Sequence, residues 1–212
     1  MNRQDTHKGR RYCLSLARMD NLFLMETQAT SDLFQRFQQR LEAAGGEAHY
    51  AESLAGAADI IAAHPSLAQK EIVVPPAFAS RHPWGAILPM LAERGITIRE
   101  AADPASVADS PAGLSSAELA IAETGSIMLA DNALASRVVS MLTLTHFALV
   151  QADTLYLMLE DAGNALQQLT TPGPDQHHYI SLVTGPSRTA DIERTLTIGV
   201  QGPRALCVII VE

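Results

Sequence analysis

The sequence predicts an α/β fold with a mostly parallel sheet and helices on both faces. Helical and extended patterns alternate along most of the chain, and several predicted strands are apolar without interruption, such as residues 71–74 and 206–211. Strands of a parallel sheet that is covered on both faces have this continuous apolar character, whereas strands with one solvated face alternate. With 212 residues, of which 47% are hydrophobic, the chain can bury a sizeable core.

The predicted elements follow one another with clear start and stop signals. The first helix begins after Ser31 as N-cap and ends at Gly45 and Gly46, and the second begins at Ser53. A third helix runs through residues 84–91, and a fourth runs from Asp153 or Thr154 to about residue 169. A short extended piece is predicted around residues 48–50, and the predicted strands are residues 71–74, 96–98, 126–129, 147–150, 179–183 and 206–211.

The domain organisation is predicted to be simple. Residues 1–30 are polar and basic near the start and lack a clear period, so we expect a loose basic arm. No internal repeat or long linker divides the remainder, and residues 31–212 are therefore predicted to form a single domain.

Charge and hydropathy exclude two classes of partner. The formal net charge is −8 and the pI is near 5.3, so the chain lacks the excess of cations that nucleic-acid binding requires. The apolar runs are too short to span a bilayer, which excludes membrane insertion. Arg18 and Asp20 interrupt the one apolar stretch near the N-terminus that resembles a secretory signal. We expect a cytoplasmic protein.

Cysteine and histidine spacings predict no cofactor or metal bound by this chain. Cys13 and Cys207 are the only cysteines, which is too few for the usual iron–sulfur or structural zinc ligand sets. Neither H-x-H nor H-E-x-x-H occurs. His146 precedes an apolar strand and is a candidate ligand-binding residue at a strand-end cleft; the alternative is a buried histidine with satisfied hydrogen bonds.

Residues 121–126 place an acid and hydroxyls between apolar stretches, with a glycine at the turn. Glu123 is a candidate catalytic base or nucleophile, because a carboxylate at a strand end can transfer protons if that end borders the crevice of an open sheet. Thr124 and Gly125 are candidate ligand-binding residues beside it. The alternative is a structural turn in which Glu123 or Thr124 bonds local backbone N–H groups.

A second segment, residues 184–193, follows a predicted buried strand and combines a Gly-Pro turn, several hydroxyls and one arginine. Such a turn suits a carboxylate or phosphate. Alternatively, its hydroxyls only bond the backbone of a capped loop. We expect this segment and residues 123–124 to share one cleft at the strand ends. Its candidate ligand-binding residues are Thr184, Gly185, Ser187, Arg188, Thr189 and Asp191.

Four segments together resemble the LUD (lactate utilisation) domain family. They are AETGS at 122–126, RVVSML at 137–142 with His146 after it, TGPSRTADIE at 184–193 and GVQGP at 199–203. The resemblance implies a fold like that of glucosamine-6-phosphate deaminase, ribose-5-phosphate isomerase and the CoA transferases. It also implies a lactate-oxidising system whose partner subunits carry iron–sulfur clusters, in agreement with the few cysteines of this chain.

Two functions remain open. The first is an accessory subunit of a cytoplasmic L-lactate utilisation system that acts with iron–sulfur partner proteins and holds a small anionic ligand. The second is a stand-alone isomerase or acyl/CoA transferase on small anionic substrates, with Glu123 as base or nucleophile. Fold analogy alone supports the second, and one fold hosts many chemistries.

Overall fold

The computed structural model describes residues 30–174, 176–189 and 196–212. The helices are α1 (30–43), α2 (Leu54–Ala63), α3 (Ile87–Glu93), α4 (Pro104–Val107), α5 (Leu134–Leu142) and α6 (Gly163–Thr170). The strands are β1 (Glu47–Ala51), β2 (Glu71–Val74), β3 (Thr97–Glu100), β4 (Ala112–Ser116), β5 (Leu119–Ile121), β6 (Ser126–Ala130), β7 (Thr145–Gln151), β8 (Leu155–Tyr156), β9 (Ile180–Val183), β10 (Arg188–Thr189), β11 (Thr197–Ile198) and β12 (Ala205–Val211).

The main sheet has six strands in the order β1-β12-β7-β4-β2-β3, and every neighbouring pair is parallel. This confirms the predicted α/β fold with a mostly parallel sheet. From β2 the chain continues outward to β3, whereas from β4 it continues in the opposite direction to β7. The junction of β2 and β4 is therefore a topological switch point, where open parallel sheets form a crevice at the carboxyl ends of their strands.

Helices cover both faces of the main sheet, as predicted. On one face, Phe147 of β7 belongs to the same core cluster as Ala58 of α2 and Leu91 of α3. On the other face, Val150 of the same strand belongs to a cluster with Phe37 of α1. Successive side chains of β7 point to opposite faces, so one continuously apolar strand serves both clusters.

A smaller four-stranded sheet, in the order β8-β5-β6-β9, completes the second face. Its β5–β6 and β6–β9 pairs are antiparallel. The strands predicted at 126–129 and 179–183 are present as β6 and β9, but they belong to this sheet and not to the parallel one. The short turn between β5 and β6 explains the difference, because it makes a hairpin and parallel neighbours need a long crossover.

The first helix differs from its prediction at its start. Residue 30 is already helical, so Ser31 lies within α1 and is not its N-cap. The predicted end is correct: Gly45 has φ of 85°, a left-handed conformation that glycine adopts readily at helix ends. Residues 1–29 of the predicted N-terminal arm lie outside the described residues.

The helix predicted from Asp153 or Thr154 begins later than expected. Residues Ala152–Thr154 form a short 3-10 turn, Leu155–Tyr156 form β8, and α6 starts only at Gly163. Leu155 is buried because it pairs with Ala120 at the edge of the smaller sheet. The position of Leu155 in the sequence thus matches the spacing of a helical apolar face, although the residue lies in a strand.

Three elements near the switch point were not predicted: β4, β5 and α5. β4 is completely buried, although its sequence AGLSS has few large apolar residues. Among the described helices, none is long and apolar enough to cross a membrane.

Candidate functional site

The turn between β5 and β6 holds Glu123, Thr124 and Gly125. Gly125 has φ of 69°, and a Cβ at this position would overlap the backbone of Leu41 in α1. Both the backbone conformation and the close approach require glycine here. The turn is therefore fixed against α1.

Hydroxyl groups connect this turn to the end of β9. The hydroxyl oxygens of Thr124 and Ser126 lie 2.8 Å apart, and the Ser126 hydroxyl also bonds that of Thr184. Glu123 is placed differently: its Oε1 accepts a hydrogen bond of 3.2 Å from the backbone N–H of Leu159. The structure brings Thr124 and Thr184 together, while Glu123 anchors the loop that follows β8.

Residues 184–189 lie against the C-terminal end of α1. A Cβ on Gly185, whose φ is 70°, would lie 2.6 Å from the carbonyl oxygen of Ala44. A Cβ on Gly45 would lie 3.1 Å from Nη2 of Arg188. Because unpaired carbonyls at a helix C-terminus favour a nearby cation, Arg188 has a structural role available besides anion binding.

The same segment continues to the amino edge of the parallel sheet. The backbone N–H of Ser187 donates to the carbonyl of Pro203, just before β12, at 2.9 Å. Thr189 pairs with Thr197 in the two-stranded sheet of β10 and β11. Asp191 lies outside the described residues.

This position differs from the strand-end crevice that the sequence suggested. Ligand crevices form at the carboxyl edge of parallel strands, but β9, which leads into residues 184–189, belongs to the antiparallel sheet. The catalytic role of Glu123 and the ligand-binding roles of its predicted neighbours stay predictions.

His146 is fully buried on β7, and its Nε2 lies 2.8 Å from the hydroxyl oxygen of Ser115. Burial lowers the pKa of His146 to about 4, so its imidazole is neutral near pH 7. His146 is not among the residues that line the neighbouring cleft, but its partner Ser115 is. His146 therefore adjoins this cleft through its hydrogen bond to Ser115.

That cavity is a polar cleft at the carboxyl ends of β2 and β4, at the switch point of the sheet. We call it the Ser116–Arg137 cleft. Its free volume is about 30 Å³, enough for a water or the head of a small anion. The main sheet, the smaller sheet and α5 all contribute to its walls. The polar side chains that line it are Arg81, Ser115, Ser116, Asp131, Ser136, Arg137, Ser140, Tyr179 and Ser181.

The two arginines of the Ser116–Arg137 cleft differ in their partners. Arg81 forms ion pairs with Glu118 and, at 3.7 Å, with Asp131. Arg137 stacks on the ring of Tyr179, with its guanidinium carbon 4.3 Å from the ring centre. Within the described ranges Arg137 forms no ion pair, and its buried Nε has no hydrogen-bond partner.

Ser116 is a second incomplete group in the same cleft. It is only 7% exposed, and its Oγ has no hydrogen-bond partner among the described residues. A buried polar group left without a partner costs about 1–3 kcal/mol, so a water or ligand is expected to complete it. Ser116 and Arg137 line the same cleft, so they can offer one bound group a hydroxyl and a cation that has no acidic partner within the described residues.

A larger cavity of about 630 Å³ lies at the carboxyl ends of β1, β7 and β12. Its lining includes the acidic residues Glu52, Asp153 and Glu212. These carboxylates disfavour an anionic ligand, so the smaller Ser116–Arg137 cleft is the better anion site.

A family model of the LUD domain matches residues 34–211. The chain belongs to the LUD domain family. Lactate utilization protein C from Bacillus licheniformis is 35% identical over 100 residues, which are 47% of this chain and 42% of that protein. The protein of the same name from Bacillus subtilis is 32% identical over 100 residues, with the same two coverages. These alignments span less than half the length of each relative.

A solved structure supports the fold of this LUD domain. The crystal structure of a DUF162 family protein from Deinococcus radiodurans matches with a TM-score of 0.61 over 86% of this chain and 98% of that chain. Sequence identity is 21%, so this likeness concerns the fold alone. The implied likeness to the sugar-phosphate isomerase and CoA-transferase folds stays a prediction.

Most of the Ser116–Arg137 cleft of this LUD domain is not apparent from the sequence. Arg137 lies in one of the family-like segments, but nothing in its local sequence indicates a role. Ser115 and Ser116 went unnoticed because β4 was not predicted. Recognition of residues 112–116 as a buried strand would have placed both serines at its carboxyl end, where ligands bind.

Proposed function

We propose that this LUD domain binds a small carboxylate in the Ser116–Arg137 cleft. We further propose that it serves as an accessory subunit of a cytoplasmic L-lactate utilisation system with iron–sulfur partner proteins. The names of the Bacillus relatives support the lactate assignment. The site assignment rests on the guanidinium of Arg137, which has no acidic partner among the described residues. The acids Glu118 and Asp131 form their ion pairs with Arg81 instead.

A carboxylate complements this arginine in shape as well as charge. A guanidinium presents its N–H donors in a planar fork that matches the two oxygens of a carboxylate. Stacking on Tyr179 fixes the plane of the guanidinium before a ligand arrives, which reduces the entropy lost on binding. The Ser116 hydroxyl can bond a further oxygen, such as the 2-hydroxyl of lactate or the 2-oxo group of pyruvate.

The narrowness of the cleft favours small ligands. A free volume of about 30 Å³ holds only the carboxylate head of an acid, so the rest of the ligand lies toward the mouth of the cleft. A compact 2-hydroxy or 2-oxo acid presents such a head, whereas the thioester of a simple acyl-CoA carries no carboxylate.

Redox chemistry supports an accessory role. Oxidation of lactate to pyruvate removes two electrons, which an acceptor must take up. The sequence has two cysteines and therefore cannot supply the four thiolates of a usual iron–sulfur cluster. We assign the electron acceptor to partner proteins. Adjacent genes for cysteine-rich proteins would support this assignment, whereas an isolated gene would favour the stand-alone enzyme that uses Glu123.

Titration calorimetry with L-lactate, pyruvate and inorganic phosphate tests the site. Arg137→Gln should weaken carboxylate binding by about 10–100-fold, because charge-assisted hydrogen bonds contribute about 1.5–3 kcal/mol. Arg188→Gln is the matched control, since it removes the arginine of the other candidate anion site, and should leave affinity unchanged. Loss of binding in Arg188→Gln but not in Arg137→Gln would move the ligand to residues 184–189 and overturn the cleft assignment.

A further inference from the structure

A second group of chemically active side chains lies on β1 and β12, away from the Ser116–Arg137 cleft. Glu47 and His49 are two residues apart on β1, so their side chains share one face of the sheet. Cys207 of β12 is the register partner of Glu47. One carboxylate oxygen, one imidazole nitrogen and the Cys207 sulfur all lie within 4.8 Å of one another.

We propose that Glu47, His49 and Cys207 form a binding site for a zinc-class divalent metal ion. Carboxylate oxygen, imidazole nitrogen and thiolate sulfur are the three protein ligands that Zn²⁺ uses, and a set of three leaves one tetrahedral position for water. The mixture of soft sulfur with nitrogen and oxygen favours Zn²⁺ over Mg²⁺ or Ca²⁺, which prefer oxygen ligands only.

The surroundings give such an ion both access and support. The Glu47 and His49 side chains are 51% and 41% exposed, which provides an entry path and room for a bound water. Cys207 is fully buried and fixes the third ligand within the sheet. The site therefore combines two partly exposed ligands with one that is held within the sheet.

His64 is placed to orient the Glu47 carboxylate. The backbone N–H of Ser66 donates to Nδ1 of His64 at 3.2 Å, so the proton of a neutral His64 ring resides on Nε2. That Nε2 lies 3.4 Å from Oε2 of Glu47. Groups that contact a ligating carboxylate limit its direction, and the His64 ring lies against Glu47 in this way.

A bound cation would also change the state of the thiol. Burial, followed by the charge of Glu47, raises the pKa of Cys207 to about 12, so the sulfur is protonated without a metal. A divalent ion supplies the positive charge that stabilises the thiolate, and its binding releases the thiol proton.

This site was not expected from the sequence. No short spacing of ligands within one segment marks it, because residues 47–49 meet Cys207 only through the pairing of β1 with β12. Nor does the proposal depend on the carboxylate cleft, which lies at the opposite, carboxyl edge of the sheet beside β2 and β4.

Metal titration of the full chain tests the proposal. In a Cys13→Ser background, which removes the other thiol, chelator-treated protein should bind about one Zn²⁺ per chain. Binding of Co²⁺ should produce a thiolate-to-metal charge-transfer absorption. His49→Gln should weaken Zn²⁺ binding by at least about tenfold. Cys207→Ser should remove the charge-transfer absorption.

The control and the contrary outcomes are equally specific. His178→Gln changes an exposed histidine elsewhere and should bind Zn²⁺ like the parent protein. His49 is partly exposed, so His49→Gln remains informative even if Cys207→Ser fails to fold. The proposal is wrong if the parent binds no stoichiometric Zn²⁺, if its Co²⁺ complex lacks the thiolate absorption, or if His49→Gln and His178→Gln bind equally well.

Discussion

At the scale of single residues, His146 links the buried core to the wall of the cleft. Its neutral imidazole bonds Ser115, and burial holds its pKa at about 4, well below the ordinary 6.5. An unfolded chain binds a proton on this histidine below about pH 6.5, while the folded chain does not. Folding stability from this group is therefore complete above pH 6.5 and is lost as the pH falls toward 4.

The expected loss is roughly 3 kcal/mol of unfolding free energy between pH 7 and pH 4, because each pKa unit corresponds to about 1.4 kcal/mol. Denaturant unfolding of wild type and His146→Gln across this range measures it, since glutamine keeps a hydrogen bond to Ser115 but does not titrate. The wild type should lose more stability than the variant by this amount. Parallel pH profiles would show that His146 is not a buried neutral group.

Arg137 and Ser116 show how much of a binding site the sequence alone can reveal. The proximity of Thr124 and Thr184 followed from turns beside two predicted strands, which the structure places next to each other through Ser126. By contrast, Arg137 becomes chemically distinctive only because Tyr179 stacks on it and no acid among the described residues pairs with it. Such an absence of partners depends on tertiary packing and has no local signature.

At the scale of elements, α1 is the support on which both predicted turns rest. Gly125 contacts the backbone at Leu41, and Gly185 contacts Ala44. Gly125→Ala should destabilise the fold by about 2–4 kcal/mol, because a left-handed φ and a backbone overlap both oppose a Cβ. Thermal or denaturant unfolding measures the change.

Gly163→Ala provides the matched control for that measurement. Gly163 begins α6, and a Cβ there would meet nothing within 4 Å. The control should be neutral or slightly stabilising, as alanine favours helix. Equal stability of Gly125→Ala and Gly163→Ala would mean that the turn does not pack against α1 as described.

Strands with continuous apolar sequences were predictable, and those with small or polar residues were not. The segments at 71–74 and 206–211 fit a sheet covered on both faces, and each forms an interior strand with a neighbour on both sides. β4 was not predictable because Gly113 and two serines lower its apolar content. Gly113 is nevertheless required, because the side chains of Thr143 and Val139 approach its backbone too closely for a Cβ. The four-stranded sheet was not predictable either, because the residue pattern of one strand does not specify which strand pairs with it.

At the scale of the whole molecule, the two edges of the parallel sheet have different chemistry. The carboxyl edge holds the Ser116–Arg137 cleft at the switch point. The amino edge holds residues 184–189 and the group formed by Glu47, His49 and Cys207. A carboxylate ligand and a metal ion would thus occupy separate places, and each can be tested without disturbing the other.

The central claim is that a small carboxylate binds between Arg137 and Ser116, and a crystal structure with L-lactate or pyruvate tests it most directly. We predict ligand density in the cleft, with the carboxylate within hydrogen-bond distance of the Arg137 guanidinium and a second oxygen near Ser116 Oγ. Density for the acid at residues 184–189 would contradict the claim, as would an empty cleft at ligand concentrations that saturate binding in solution.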